Sequence, residues 1–261
     1  MSKNKKKAIG LILVIVLVCI GGMKVGSYLP TIGDHNTPAN GDVSVYYIEN
    51  AYHDTHAPNI VTAVLADYRG FDTLFETCVL FLSGVVTLMV LPSIKKDLDE
   101  AGAEKEKEKK KAKSSFGGIV LDSSFRFILP VIMIYGIYVL FHGEISLGGG
   151  FQAGALLACV YLIDRLVPSF SSRMKRLKPA KTLIIAGCGT FLYAFTGILT
   201  MLGGGKFLEY NTLPVNWLPW AEHISLHSVG ILMIEAGVTI CVMMVIINIL
   251  EVVLERTDFD E

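Results

Sequence analysis

Two carboxylates inside strongly apolar stretches are the residues of this chain most able to do chemistry. Glu76 lies in RGFDTLFETCVLFLSGVVTLMVL, and Glu235 lies in HSVGILMIEAGVTICVMM. An ionisable group at the centre of a membrane-spanning helix costs about 2.5–3.5 kcal/mol on insertion scales, so it needs a partner, a water-filled cavity or a proton. Such carboxylates suit an ion or proton path better than the active site of an enzyme.

Glu76 belongs to a polar stripe on one face of its predicted helix. At 100° per residue, four polar side chains fall within about 60° of one another over a length of about 22 Å. They are Asp72, Glu76, Ser83 and Thr87. Asp72 also suits plain capping of the helix N-terminus, where acids are favourable. Just outside the stripe, Asp67 and Arg69 predict an Arg–Asp pair that braces the outer opening.

Glu235 is the deepest isolated carboxylate, and Ser228 and Thr239 share its helix face. The alternative to an ion path is a protonated, hydrogen-bonded contact between helices. His223 and His227 stand one helical turn apart nearby. A zinc site would need two more convincing ligands, so no metal site is expected.

The segment HGEISLGGGFQAG joins two apolar runs without room for an ordinary aqueous loop. Its polar and glycine positions are His142, Glu144, Gly148, Gly149, Gly150 and Gln152. One interpretation is a broken-helix hairpin whose freed backbone groups meet water or ions, with the histidine relaying protons. The other is a tight outer turn in which glycine supplies positive φ and the polar side chains face water. The sequence leaves both open.

The composition narrows the class of protein. Of the 261 residues, 52% are hydrophobic, and the mean hydropathy of +0.53 is too high for a soluble domain. A net charge of −1 and the lack of a basic, aromatic-rich stripe argue against nucleic-acid binding. The cysteines stand apart, and the sequence has no Gly-rich phosphate loop and no HExxH motif. We therefore expect no cofactor and no enzyme active site in this chain.

Six apolar runs are long enough to span a bilayer, which takes about 20 residues each. They cover residues 8–27, 71–91, 125–141, 151–167, 182–202 and 225–253. The first is predicted to be a retained anchor rather than a signal peptide, because no A-x-A-like cleavage site follows it. The expected fold is an all-α integral membrane protein with about six transmembrane helices.

The positions of the basic residues predict that both termini lie in the cytoplasm. With this orientation, all but three of the 23 Lys and Arg residues fall on the cytoplasmic side. The three exceptions are Lys24, Arg69 and Lys206. The opposite orientation would invert that bias.

A charged, low-complexity stretch divides the chain. Residues 1–93 form a predicted two-helix module with an outer loop at 30–66, and residues 125–261 form a four-helix domain. Between them, residues 94–124 are predicted to form a cytoplasmic linker, either a loose solvated helix or a disordered segment. The outer loop is rich in aromatic residues, so we expect it to pack against the membrane part or a neighbouring subunit.

Three motifs make the sequence similar to a known family. YYIENAYHDTHAPNIVTAVLADYRGFDTL, followed by Glu76, resembles the small subunit, or the large-subunit tail, of Mrp-type multisubunit cation/proton antiporters. The same module occurs in membrane-bound hydrogenases and related energy-converting complexes. FHGEISLGGGFQAG and HSVGILMIEAGV resemble the signature and the last helix of the Mrp B-type subunit. Phe75 and Leu147 depart from the family pattern, which usually has Gly and Pro there.

The resemblance implies a non-catalytic transport subunit that contributes to Na⁺/H⁺ exchange in the cytoplasmic membrane of a prokaryote. It implies other Mrp-type antiporter subunits as partners, in a stand-alone antiporter or beside a hydrogenase-like redox arm. Na⁺ and H⁺ would be the transported ions. Asp72, Glu76 and Glu235 match the acidic positions of the family, and the hairpin residues match its signature. A structural scaffold whose acids are packing contacts is the alternative, while the lack of an inverted repeat disfavours a stand-alone channel.

Overall fold

The computed structural model describes residues 3–26, 28, 34, 37, 41–100, 118–166, 174–214 and 225–257. In that part of the chain, every regular element is a helix, which confirms the predicted all-α fold. The long helices are α1 (Lys3–Gly26), α2 (Asp42–Thr55), α4 (Gly70–Glu100), α5 (Gly118–Phe141), α6 (Gly150–Leu166), α7 (Pro179–Leu202) and α8 (Leu226–Thr257). Shorter elements are α3 (Ile60–Thr62), a π-helix (Ala63–Tyr68) and a 3₁₀ helix (Tyr210–Thr212).

Four of these helices are long and apolar enough to cross a membrane. Their spanning segments are Gly70–Leu91, Ser123–Phe141, Pro179–Leu202 and Leu226–Leu254. The other two predicted spans, 8–27 and 151–167, also form helices. The helix α6 has 17 residues, and the described apolar part of α1 is Val14–Gly26. The predicted N-in, C-in orientation stays a prediction.

The chain divides into two compact units, Met1–Ile48 and Glu49–Glu261. In the first unit, the apolar side chains of α1 that the structure describes, from Val14 onward, are exposed, as expected of a helix whose surroundings are lipid or other subunits. In the second unit, α8 packs against α4, α6 and α7, and α5 packs against α6. The buried share of the spanning segment is 56% for α8, 33% for α7 and 11% for both α4 and α5. The helix α8 is therefore the centre of this unit.

Small residues let α7 and α8 approach closely. A Cβ atom built on Gly189 would lie 2.6 Å from the carbonyl oxygen of Gly237. A side chain at this crossing would push the two helices apart. Within a membrane, the contact energy between helices comes from close packing rather than from the hydrophobic effect, so this separation would weaken the pair.

Side-chain amides and hydroxyls join α4 to the C-terminal helices. The buried Asn248 donates from Nδ2 to the carbonyl of Gly84 at 3.1 Å and accepts from the Thr182 hydroxyl at 3.1 Å. Near the other end of α4, the Tyr193 hydroxyl donates to the carbonyl of Gly70 at 2.7 Å. These bonds satisfy polar groups that would be costly in an apolar interior, and they fix α4 against α7 and α8.

A fully buried carboxylate organises the predicted cytoplasmic end of α8. Glu251 accepts hydrogen bonds from Tyr161 and from Nε of Arg165, at 3.1 Å, both on α6. Arg176 donates to its other oxygen at 3.0 Å. Because a buried charge needs such partners, this cluster ties α6 and the segment before α7 to α8.

The predicted linker overlaps the ends of two helices. The helix α4 continues to Glu100, and α5 begins at Gly118. The middle of the predicted linker, residues 101–117, lies outside the described residues, and the domain boundaries stay predictions. The outer loop contains α2 and α3, and from Ala51 onward it packs on the core beside Tyr193 and Ile231, as expected for this part of the loop.

Candidate functional site

A cavity brings together polar residues from three separate parts of the chain. Its polar lining includes Glu76 and Thr73 on α4, Glu235 on α8 and Gln152 on α6. Its volume of about 190 Å³ gives room for several water molecules. Glu76 and Gln152 are exposed, whereas Glu235 is 9% exposed. The cavity therefore runs from the surface of the chain to a buried carboxylate.

The Glu235 carboxylate lies directly against the backbone of the hairpin between α5 and α6. A Cβ on Gly143 would be 2.7 Å from Oε2, and one on Gly149 would be 2.9 Å from Oε1. Thr239 holds this approach by donating to the carbonyls of Gly150, at 3.1 Å, and Glu235, at 2.8 Å. Within the described residues, no side chain or backbone N–H hydrogen-bonds to the carboxylate itself. The predicted alternative, a protonated, hydrogen-bonded contact between helices, stays a prediction.

Glycine is required at two consecutive hairpin positions. Gly148 has φ of +152° and Gly149 has φ of +127°, and L-residues with side chains rarely adopt this region. The tight-turn interpretation correctly expected these angles. However, Gly143, Gly149 and Gly150 are buried against α8 rather than free in water. The hairpin is therefore a wall of the cavity.

A clamp from the segment before α4 holds this hairpin in place. Asn59 donates from Nδ2 to the carbonyls of Gly143, at 3.1 Å, and Ser146, at 2.8 Å. Its backbone N–H donates to the carbonyl of Glu144 at 2.9 Å, and the Thr62 hydroxyl donates to that of Gly143 at 2.6 Å. Four hydrogen bonds thus fix the backbone that faces Glu235. Sequence reasoning missed both residues, although an Asn just before an apolar run is a helix-cap signal.

Glu144 lies half-buried near Glu235. It is hydrogen-bonded to Ser228, and it is close enough to Glu235 for the two carboxyls to interact electrostatically. Burial raises the pKa of the Glu144 carboxyl, and the hydrogen bond from Ser228 opposes that effect. The hairpin acid Glu144 therefore lies beside the face of α8 that carries Ser228.

Other predicted residues lie away from the cavity. His142 stacks on Tyr138, with ring centroids 3.9 Å apart. Ser83 and Thr87 donate to carbonyls of their own helix, those of Leu80 and Ser83. None of these side chains lines the described cavity. Within this chain, the polar stripe of α4 reaches the cavity at Glu76.

The predicted Arg–Asp pair forms with a different aspartate. Arg69 makes an ion pair with Asp72, one turn ahead on the exposed rim. Asp67 is instead hydrogen-bonded to His227, with 2.7 Å between Oδ2 and Nδ1. The ion pair differs from the prediction for a local reason. The π-helix widens the backbone turn just before Arg69, whose N–H donates to the carbonyl of Val64 five residues back.

Tyr193 is a further cavity residue that sequence reasoning missed. It lies in the apolar run of α7, and its hydroxyl bonds the backbone of α4. A tyrosine among aliphatic residues is a weak signal, because its ring alone suits an apolar core. The position becomes meaningful only when α4 and α7 are seen to meet.

Two family models cover most of the chain. One, described as a domain related to the MnhB subunit of Na⁺/H⁺ antiporters, matches residues 120–248. The other, MbhE, is described as the E-type MBH subunit and matches residues 10–104. The chain belongs to the Mrp/MBH-type membrane subunits. This confirms the resemblance seen in the three sequence motifs. With four described helices that are long and apolar enough to span, the chain is a multi-pass protein of the cell membrane.

One relative and two solved structures match this Mrp/MBH-type subunit over most of its length. A probable A/B-type K⁺/H⁺ antiporter protein of Rhizobium meliloti is 25% identical over 85% of this chain and 23% of its own length. A chain of the Mrp complex from Dietzia sp. matches 97% of the present chain, with a TM-score of 0.69 and 23% sequence identity. The match covers 26% of the Dietzia chain. An archaeal membrane-bound sulfane sulfur reductase has a chain that matches 94% of this one, with a TM-score of 0.69, 24% identity and 98% of that chain covered. The subunit thus spans about a quarter of the first two proteins, and the two structures establish the fold.

Proposed function

We propose that this chain is a membrane subunit of a cation/proton antiporter module and that its cavity is part of the ion path. One observation carries the proposal: Glu76 and Glu235, from different segments, open into one cavity. The matching family and the bacterial relative, which are described as Na⁺/H⁺ and K⁺/H⁺ antiporter proteins, support this choice. The subunit itself carries no catalytic function in the proposal.

The cavity has the ligand chemistry of a site for protons and small cations. Carboxylate, amide and hydroxyl oxygens are the ligands that hard cations prefer, and the cavity offers those of Glu235, Glu76, Gln152 and Thr73. A carboxylate without a hydrogen-bond partner in a mostly apolar wall is best satisfied by a proton or by a cation. Binding of one would therefore displace the other, which is the elementary step of exchange.

The face of α4 that carries Glu76 calls for a partner subunit. Phe71, Phe75 and Val79 are more than half exposed beside it, which suits lipid or another apolar helix. An exposed carboxylate within a spanning helix does not suit lipid. We therefore place another antiporter-type membrane protein on this face, where it would complete the path. The second solved structure belongs to a respiratory complex, so a redox arm beside this module is the wider proposal.

Paired amide substitutions test the proposal in vesicles that contain the assembled complex. Glu76→Gln and Glu235→Gln should each leave assembly intact and reduce Na⁺-dependent proton exchange by at least about a hundredfold, because an amide cannot carry a proton. Glu49→Gln, a matched change at an exposed site on α2, should exchange normally.

The scaffold alternative makes the opposite prediction. If the acids are packing contacts, the two variants would lower the yield of complex, while each assembled complex exchanged at the native rate. Exchange of K⁺ instead of Na⁺ by the native complex would change the proposed cation and leave the path in place.

A further inference from the structure

A histidine–aspartate pair, with the histidine buried and the aspartate half-buried, lies at the predicted outer end of α8, apart from the cavity lining. Nδ1 of His227 is 2.7 Å from Oδ2 of Asp67, which projects from the π-helix. The side chains are 9% and 19% exposed. Since a carboxylate only accepts, the proton between them belongs to Nδ1, and the pair fixes both the tautomer and the orientation of the ring.

In the part of the chain that the structure describes, the other ring nitrogen of His227 has no hydrogen-bond partner. Nε2 is buried and unpaired among the described residues. A histidine with a purely structural role normally satisfies both nitrogens, and a buried polar atom left unpaired in a folded protein needs an explanation. A site whose second partner is transient, such as a proton or a passing water molecule, provides one.

The surroundings of the ring supply one negative charge. His56, from the turn after α2, meets it edge-on with ring centroids 5.8 Å apart. Tyr210, from the 3₁₀ helix, does so at 5.9 Å, and its hydroxyl is bonded to the carbonyl of Ala66. Among the described contacts of the ring, Asp67 is thus the carboxylate that can balance an imidazolium. The pair can hold a proton without leaving a buried charge uncompensated.

The π-helix is what gives Asp67 this role. The N–H of Arg69 bonds the carbonyl of Val64, five residues back, at 2.8 Å. This wider turn separates the two neighbouring charges, so that Arg69 pairs with Asp72 on the rim while Asp67 meets α8. Isolated π turns often accompany functional sites, and here the turn places Asp67 beside the histidine and away from Arg69.

His227 stands above Glu235 on the same helix, about 12 Å away along the axis at 1.5 Å per residue. Between their levels, Ser228 is hydrogen-bonded to Glu144, and Glu144 interacts electrostatically with Glu235. The order from the outer end of α8 inward is therefore the His227–Asp67 pair, the Glu144–Ser228 pair and then Glu235.

We propose that His227, with Asp67 as its counter-ion, is a second proton-carrying residue that serves the outer end of the path to Glu235. The lone pair of Nε2 takes a proton from hydronium, which leaves as water, and forms an imidazolium beside the Asp67 carboxylate. The same N–H later gives that proton to a water molecule, which leaves as hydronium, and the ring returns to its neutral form with Nδ1 still bonded to Asp67. This inference rests on the proposed exchange function.

Nitrogen NMR of the full chain in lipid nanodiscs, with ¹⁵N-labelled histidine, tests the protonation step directly. The His227 signals are identified by their loss in His227→Gln. Lowering the pH should add a proton to Nε2 while Nδ1 keeps its own, so that both ring nitrogens then carry a proton. A proton on Nε2 at every pH at which the protein is folded, or an Nε2 that never gains one, would overturn the proposal. This measurement stands even if the native complex shows no exchange, which would refute the proposed function alone.

Exchange by the assembled complex tests the transport step. Glutamine at position 227 keeps an amide donor for Asp67 but cannot carry a proton, so His227→Gln should slow exchange by about tenfold or more per assembled complex. Asp67→Asn should do the same, and the double variant should be no slower than the slower single, because the two residues act as a unit. His53→Gln, at an exposed position on α2, is the matched control.

The glutamine variant also separates this role from a structural one. If His227 only ties α8 to the π-helix, the variant keeps that hydrogen bond and exchanges at the native rate, which would refute the inference. A lower yield of complex with native exchange per complex would refute it as well. Should His227→Gln fail to assemble, Asp67→Asn decides by the same criteria.

Discussion

At the scale of single residues, the environment of Glu235 depends on glycines, which have no side chain to keep the backbone away from the carboxylate. Gly143 and Gly149 bring their backbone against its two carboxylate oxygens, while Asn59 and Thr62 bond the hairpin from the other side. A buried carboxylate usually gains hydrogen bonds from its neighbours. Here the neighbours exclude all donors of the described chain, so the oxygens remain available to whatever enters the cavity.

Two glycines with positive φ make it possible to separate backbone strain from contact with Glu235. Gly149→Ala meets Oε1 of Glu235 at 2.9 Å, whereas Gly204→Ala meets nothing within 4 Å. Both substitutions should lower thermal stability through backbone strain of about 1–3 kcal/mol. Only Gly149→Ala should also reduce exchange, because it displaces the carboxylate. Equal exchange by the two variants, measured per assembled complex, would show that the hairpin does not position Glu235.

At the scale of elements, α8 is the part of the described chain against which the other helices are arranged. Its outer third carries His227 and Glu235, and its inner third carries Asn248 and Glu251. The first two face sites that we assign to protons, whereas each side-chain oxygen and nitrogen of the last two has a hydrogen-bond partner. Polar residues on one apolar helix thus have two distinct uses, and only their partners distinguish them.

The cluster at Glu251 should be the stronger structural anchor. Glu251→Gln would leave two guanidinium groups without their carboxylate, and breaking a buried pair in this way costs about 3–5 kcal/mol. Arg165→Gln should destabilise more than Arg176→Gln, because the side chain of Arg165 is 17% exposed and that of Arg176 is 40% exposed. Thermal unfolding of the chain in detergent would measure all three. An unchanged melting temperature for Glu251→Gln would mean that this cluster contributes nothing to stability.

At the scale of the whole molecule, helices from two family segments share one compact unit. The helix α4, from the segment that matches MbhE, packs on α7 and α8 from the MnhB-related segment. Polar bonds at Gly70 and Gly84 reinforce the packing, and the cavity lies between the two segments. Joining them in one chain keeps Glu76 and Glu235 at equal stoichiometry.

This arrangement predicts that the covalent join is dispensable once the protein has folded. With a protease site inserted between residues 104 and 118, cleavage of the folded chain should leave two fragments that stay together through size-exclusion chromatography in mild detergent. Exchange by the cleaved complex should remain within about twofold of the uncut form, because interhelical packing and hydrogen bonds hold the segments together. Separation of the fragments after cleavage would show that the linker itself is needed. The same cleavage is also carried out on the Asn248→Ala variant, which lacks the bond to Gly84 and therefore holds α4 less tightly.

The sequence by itself determined the elements that depend on composition along a single helix. Apolar length predicted the spanning segments of α4, α5, α7 and α8 to within a few residues. The same reasoning marked Glu76 and Glu235, since a carboxylate in an apolar run stands out without any knowledge of its neighbours. Family motifs identified the two segments correctly.

Only the tertiary structure decided which of these residues meet. The α2 helix and the π-helix lie in a segment whose sequence suggested a loop, because their stability comes from packing of residues such as Ala51 and Ala63 on a distant core. Asp67 pairs with His227 rather than Arg69, and Glu76 shares a cavity with Glu235, through contacts between residues far apart in the chain. Helix periodicity gives the face on which a side chain lies. It does not give the rotation and depth at which two helices pack, and those two quantities place the carboxylates together.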